Sequence, residues 1–191
     1  EICEQSSWKV PDFVAFPVAV GEAFLAAHMG FQELQQIGWI DKVPRLICVQ
    51  SATADPIVKA YREGHSIRPM AIGYTLAEGV AVGNPKNKGS WTLDVLRSNH
   101  GLAIDVPDEE VIAAQRDLAR QEGIYAGPTG SVALAGLRKL REEGEIDSDA
   151  SVVALVTEHG LKGDLPHPSI RPVPATYEDL YRHLSGLLSG A

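Results

Sequence analysis

The chain has 191 residues, 45% of them apolar and 22% charged, with a formal net charge of -8. That length and apolar content suit one domain with a core of normal size, and the acidic balance excludes the electrostatic footprint of a nucleic-acid or anionic-membrane binder. The two cysteines, Cys3 and Cys48, offer neither metal spacing nor a disulfide framework, so a cytoplasmic setting is expected. No apolar stretch approaches membrane-spanning length. No signal peptide is visible, and a first residue Glu1 rather than Met reads as a processed or cut chain.

In chain order, residues 13–16 form a short apolar run that reads as a buried strand, and residues 17–21 leave it as a loop. A helix follows, because Ala27, Phe31, Leu34 and Ile37 recur at helical spacing, with Gly38 as its stop. Residues 45–50 read as the next strand, which completes one βαβ unit and predicts a parallel pair with a right-handed crossover. Pro56 suits the first turn of a helix carrying Ile57, Val58 and Tyr61 and ending near Gly64. Residues 65–74 have no period, Thr75 is placed to cap a short helix through Val80, and Gly83-Asn84-Pro85 breaks the chain. Residues 86–89 read as a flexible polar stretch, with Ser90 capping a helix that ends near Asn99. Residues 102–106 are a third strand. Asp108 reads as the N-cap of the next helix, with Val111, Gln115, Leu118 and Ala119 as its inner stripe and Gly123 as its end. Pro128 opens a helix with Val132, Ala135 and Leu140 inward, ended by Gly144. Residues 166–174 are proline-rich and extended, and Thr176 with Asp179 starts a last amphipathic helix carrying Leu180, Leu184 and Leu187. There is no internal repeat.

The stretch from residue 151 to 164 organises the rest. Residues 152–156 form an apolar, β-branched run that predicts a strand buried on both faces, ending abruptly in Thr157, Glu158 and His159. In open α/β sheets ligands bind at the carboxyl ends of the strands; the alternative is an ordinary strand exit with a satisfied Thr. The alternation of strands and helices predicts a three-layer α/β domain, with helices on both faces of a mostly parallel sheet. About four strands is few for that architecture, which suggests that further strands lie outside this chain.

Several chemistries find no motif. There is no Gly-x-Ser-x-Gly elbow, no Walker loop and no Gly-x-Gly-x-x-Gly after a strand. The six histidines are scattered, so no zinc or other metal site is expected. Gly127-Pro128-Thr129-Gly130 could cradle an anion on first-turn amides, or could be simple turn chemistry at a helix start.

The motifs are more specific together. Pro44-Arg-Leu-Ile-Cys-Val-Gln50, Thr75-Leu-Ala-Glu-Gly-Val-Ala-Val-Gly-Asn-Pro85, Val106-Pro-Asp-Glu-Glu-Val111, the run from Gly123-Ile124 through Pro128 to Ala135-Gly-Leu137, and Val156-Thr-Glu-His-Gly-Leu-Lys162 occur in that order. Over residues 10–164 this resembles the C-terminal half of threonine synthase, a pyridoxal-phosphate enzyme of the tryptophan-synthase-β family. Gly83-Asn84-Pro85 and His159-Gly-Leu-Lys162 are its most specific parts. The resemblance implies the large domain of fold-type II enzymes, pyridoxal 5′-phosphate as cofactor, and conversion of O-phosphohomoserine and water to threonine and phosphate. It implies residues 1–165 as the C-terminal portion of a cofactor-binding domain, with residues 166–191 as a tail and helix. It also implies an amino-acid substrate, a homo-oligomer and a missing N-terminal half or companion chain.

Residue by residue, Thr157 matches the Thr whose hydroxyl bonds the pyridine nitrogen, which suits β,γ-elimination and replacement. Val18, Ala19, Val20, Gly21 and Glu22 match the loop that binds the cofactor phosphate through backbone N–H groups. Three departures stand out. Only Gly21 survives of the usual Gly/Asn run, and Glu22 would set a negative charge near the phosphate. Glu158 replaces a Gly beside Thr157 and would crowd the ring. Gly127–Gly130 lacks the usual acidic residue and Ser. The Schiff-base lysine belongs to the N-terminal half in this family, and none of Lys9, Lys42, Lys59, Lys86, Lys88, Lys139 and Lys162 has its context. Three readings follow: the C-terminal part of a threonine-synthase-like lyase, a non-catalytic subunit or binding module of the same fold, or a related pyridoxal-phosphate lyase or synthase acting on another amino acid.

Overall fold

The computed structural model describes residues 1–162 and 176–188. The proline-rich stretch 166–174, residues 163–164 and the side chains of Leu184 and Leu187 lie outside the described residues. Four strands form one parallel sheet: β1 (Phe13–Pro17), β2 (Arg45–Ser51), β3 (Leu102–Val106) and β4 (Val152–Ala154), in the order β3-β2-β1-β4. β1 pairs with β2 from Phe13 opposite Arg45 and with β4 from Phe13 opposite Val152.

The helices are α1 (Ile2–Gln5), α2 (Glu22–Gln36), α3 (Pro56–Glu63), α4 (Lys86–Ser98), α5 (Asp108–Asp117), α6 (Pro128–Glu142) and α7 (Tyr177–Leu188). Side chains alternate across a strand, so the sheet divides its apolar residues between two cores. Val14, Phe16, Leu46 and Cys48 pack with Phe24 and Phe31 of α2, Ile57 and Val58 of α3, and Leu96 of α4. Phe13, Ala15, Ile47, Val49, Ile104 and Val106 pack on the other face with Val111 and Ala114 of α5 and Val132, Ala135 and Leu140 of α6. The three-layer α/β expectation and the βαβ unit hold. Among the described residues, no helix is long and apolar enough to cross a membrane.

Several boundaries differ from the sequence reading. β4 is three residues long and half-buried, and Val156 beyond it is 39% exposed. The apolar run read as a strand buried on both faces is an edge, because β4 pairs with β1 alone among the described strands. Helix α4 starts at Lys86, so residues 86–89 are its first turn and Ser90 is not a cap; Pro85 is the N-cap and the Asn84 side chain accepts the Lys86 N–H at 3.3 Å. Asp108 lies inside α5 rather than capping it. Its carboxylate accepts the Thr75 hydroxyl at 2.6 Å and the Leu76 N–H at 2.8 Å.

Thr75 does not cap the 3₁₀ turn at Glu78–Val80: Ala77 is its N-cap, no side chain caps it, and the Thr75 hydroxyl accepts the Ala77 N–H just ahead of the turn at 3.1 Å. After α5 a π turn at Leu118–Glu122 widens the helix, which leaves Leu118 buried and Ala119 exposed. Ile37 is the C-cap of α2 and is 60% exposed, while Phe24 takes the inward place nearer the start. Leu180 of α7 is half exposed.

Candidate cofactor site

Chain direction places the site. From β1 the chain steps to β2 and β3, then crosses to β4 on the far side of β1. The strand order therefore reverses between β1 and β4, and open α/β sheets hold ligands at the carboxyl ends of the strands beside such a switch point. A cavity of about 190 Å³ lies there, lined by residues 17–24, Gly79, Val80, Thr129 and Thr157. A larger hollow of about 450 Å³ sits among Asp12, Lys42, Arg45 and Asp147 at the amino ends of the strands, the end that such folds do not use for ligands.

The loop after β1 is held firmly. The Val18 N–H donates to the Val49 carbonyl at 2.8 Å, and the Val18 carbonyl accepts from the buried Gln50 amide at 3.3 Å. Gly21 ends the loop as the N-cap of α2, with φ +99°. A Cβ there would lie 1.8 Å from the Thr92 hydroxyl oxygen on α4, so both backbone angle and space require glycine. Phe24 meets Phe16 edge to face at 5.6 Å and seats the first turn of α2 on β1. No side chain caps α2. Its first N–H groups have no acceptor within the helix and, with the positive end of the helix dipole, open on the cavity.

Val18, Ala19, Val20, Gly21, Glu22 and Thr157, singled out in the sequence, thus line one cavity although 135 positions separate Glu22 from Thr157. Thr157 is exposed and lies two residues beyond the last β1–β4 backbone contact, in which the Leu155 N–H donates to the Ala15 carbonyl at 2.9 Å. Glu22 is ion-paired with Lys88 of α4, so its charge at the loop is offset. Glu158 is not among the residues that line the cavity. Its carboxylate accepts the Thr129 N–H at 2.9 Å, so a first-turn amide of the anion cradle read at residues 127–130 is taken by this side chain.

Sequence reasoning missed Gly79, Val80 and Thr129 as lining residues. The Gly79 N–H donates to the Thr129 hydroxyl at 3.2 Å, a pairing across 50 positions that no local pattern announces. None of the lining residues is a lysine. Lys162 lies in an exposed turn at Gly160–Lys162.

A family model described as pyridoxal-phosphate dependent enzyme matches residues 1–158. The chain is 42% identical over 172 residues to a threonine synthase of Methanocaldococcus jannaschii, covering 90% of this chain and 42% of that protein. Against a threonine synthase of Methanosarcina acetivorans it is 40% identical over 163 residues, covering 85% of this chain and 40% of that protein. The chain therefore spans less than half the length of these relatives. Its fold is similar to that of a fungal L-serine ammonia-lyase from Rhizomucor miehei, with a TM-score of 0.67, 21% identity and coverage of 83% of this chain and 48% of that one. With the family match running from the first residue through both loops of the switch-point crevice, the chain belongs to the pyridoxal-phosphate dependent enzyme family.

Proposed function

We propose that this chain is the C-terminal portion of a threonine-synthase-like lyase that converts O-phosphohomoserine and water to threonine and phosphate. Residues 18–22 and Thr157 hold its pyridoxal 5′-phosphate in this reading. The observation that carries it is the union of the β1–α2 loop and Thr157 in one crevice, in a chain 42% identical over 172 residues to a threonine synthase.

The residues present suit that cofactor. The uncapped first turn of α2 offers N–H donors and a positive dipole end to a phosphate. Thr157 offers an exposed hydroxyl, able to donate to a neutral pyridine nitrogen. Lys88 offsets the Glu22 carboxylate beside the loop. Bound there, the cofactor supplies an electron sink for carbanion chemistry. The chain's own part is to grip the phosphate at α2, orient the ring against Thr157 and wall one side of the site with Val80 and Thr129.

A cavity of about 190 Å³ is smaller than a whole small-molecule site, which runs to roughly 300–1,000 Å³. That size, and a lining without lysine, support an N-terminal portion or companion chain that closes the site and brings the anchoring lysine. A homo-oligomeric assembly belongs to the same reading, and the two free, buried thiols suit a cytoplasmic setting.

Glu22, a carboxylate at an anion-binding loop, favours the second reading of a non-catalytic subunit. The fold likeness to an L-serine ammonia-lyase keeps in view a lyase acting on another amino acid. One assay separates the three, run on this chain joined to the N-terminal portion its relatives carry. Phosphate release with threonine formation from O-phosphohomoserine is expected. Ammonia release from serine or threonine would change the substrate, and a protein with neither turnover nor cofactor absorbance would be a non-catalytic subunit.

A further inference from the structure

We infer that Glu158 is a positioning residue for Thr157, holding the loop that carries it against the N-terminus of α6. The inference rests on the proposed role of Thr157 and adds what keeps that hydroxyl in place.

Thr157 lies between two fixed points. On one side the Leu155 N–H is bonded to β1. On the other, Glu158 is held twice, its carbonyl accepting the Gly127 N–H at 2.9 Å and its carboxylate accepting the Thr129 N–H at 2.9 Å. The approach is so close that a Cβ on Gly130 would lie 2.8 Å from both the nitrogen and the oxygen of the Glu158 backbone, and one on Gly127 would lie 2.4 Å from its carboxylate. Two glycines are needed for the loop to seat there. The clamp continues past Glu158, where the Gly160 N–H donates to the Tyr125 carbonyl at 2.8 Å.

The same carboxylate ties the cavity walls together. Thr129, whose N–H it accepts, receives the Gly79 N–H on its hydroxyl. One residue of α6 thus joins the 3₁₀ turn to the Thr157 loop. The negative charge also complements the positive end of α6. Of the two helix starts that line the cavity, that leaves the first turn of α2 for a phosphate.

The test uses this chain joined to the N-terminal portion its relatives carry, and pyridoxal 5′-phosphate. Affinity is read from quenching of tryptophan fluorescence, the environment of the bound cofactor from its absorbance band, and melting temperature without cofactor. Glu158→Ala and Thr157→Val are each expected to weaken affinity about tenfold, and the double variant to be no weaker than the weaker single one, because Glu158 acts through Thr157. Glu158→Gln keeps an acceptor for the Thr129 N–H and should stay within about twofold of the unsubstituted chain. Glu158→Asp keeps the charge but withdraws the acceptor by one methylene, and should lose affinity even if the alanine variant does not fold. Weakened binding in Thr157→Val beside unchanged binding in the Glu158 variants overturns the positioning role alone; Glu158 is then only a helix cap. Multiplicative losses in the double variant overturn it as well. Unchanged affinity in Thr157→Val, or no binding by the unsubstituted joined protein, overturns the reading of Thr157 and the positioning role with it.

Discussion

At the scale of single residues, Asp12 binds the opening of β1 to the opening of β4. Its carboxylate accepts the Lys42 ammonium at 2.7 Å and the N–H and hydroxyl of Ser151 at 3.0 and 2.8 Å. The Lys42 bond first, then those from Ser151, hold this carboxyl well below the usual carboxylate range. A depressed folded-state pKa means that its contribution is fully present above the unfolded value of about 3.9 and is lost as pH falls through the folded value. Because the side chain is 43% exposed, solvent screens the Lys42 pair and the contribution stays small. Urea midpoints measured from pH 6 to pH 2 should therefore fall below about pH 4, and Asp12→Asn should flatten part of that fall. An identical acid limb in the variant would remove Asp12 from the account.

At the scale of elements, helix starts are secured from elsewhere in the chain. Asp55, the N-cap of α3, makes no capping bond through its side chain. Gln50 at the end of β2, fully buried, accepts the Ile57 and Val58 N–H groups at 2.9 and 3.2 Å and donates to the Val18 carbonyl at 3.3 Å. One amide thus caps a helix and pins the candidate phosphate loop. Gln50→Leu keeps the bulk but leaves two donors and one acceptor without that partner in the interior, a loss of at least about 1–3 kcal/mol. Urea unfolding should show it. A leucine variant as stable as the parent would mean that water takes over the orphaned groups.

At the scale of the molecule, two helix layers cover the sheet while β4 remains an open edge among the described strands. An unpaired edge is a ready template for another strand, and the candidate crevice lies beside it. The crevice holds the features expected for the phosphate and the ring nitrogen but no lysine. The chain alone should therefore give no stoichiometric, site-specific lysine adduct when mixed with pyridoxal 5′-phosphate, reduced with borohydride and mapped by peptide mass. A single fully labelled lysine would contradict this and would place the anchoring residue within these 191 positions.

From residue 13 onward the sequence alone determined the order of strands and helices, the glycine stops, the parallel βαβ start and the loop that leaves β1, because each is written in a period or a turn residue within about fifteen positions, whereas the four-residue α1 went unread. The same local reading misjudged how β4 is buried, since an apolar run looks alike in a central strand and at an edge; the neighbouring strand makes the difference. It read Asp108 as a cap for its own helix and had no means to find a partner for Glu158. Glu158 meets Thr129, 29 positions away, and Asp108 meets Thr75, 33 positions away. Tertiary structure decided these partners, because a carboxylate near a surface takes whichever unpaired N–H or hydroxyl the chain crossing brings within about 3 Å, and only the folded crossings bring them there.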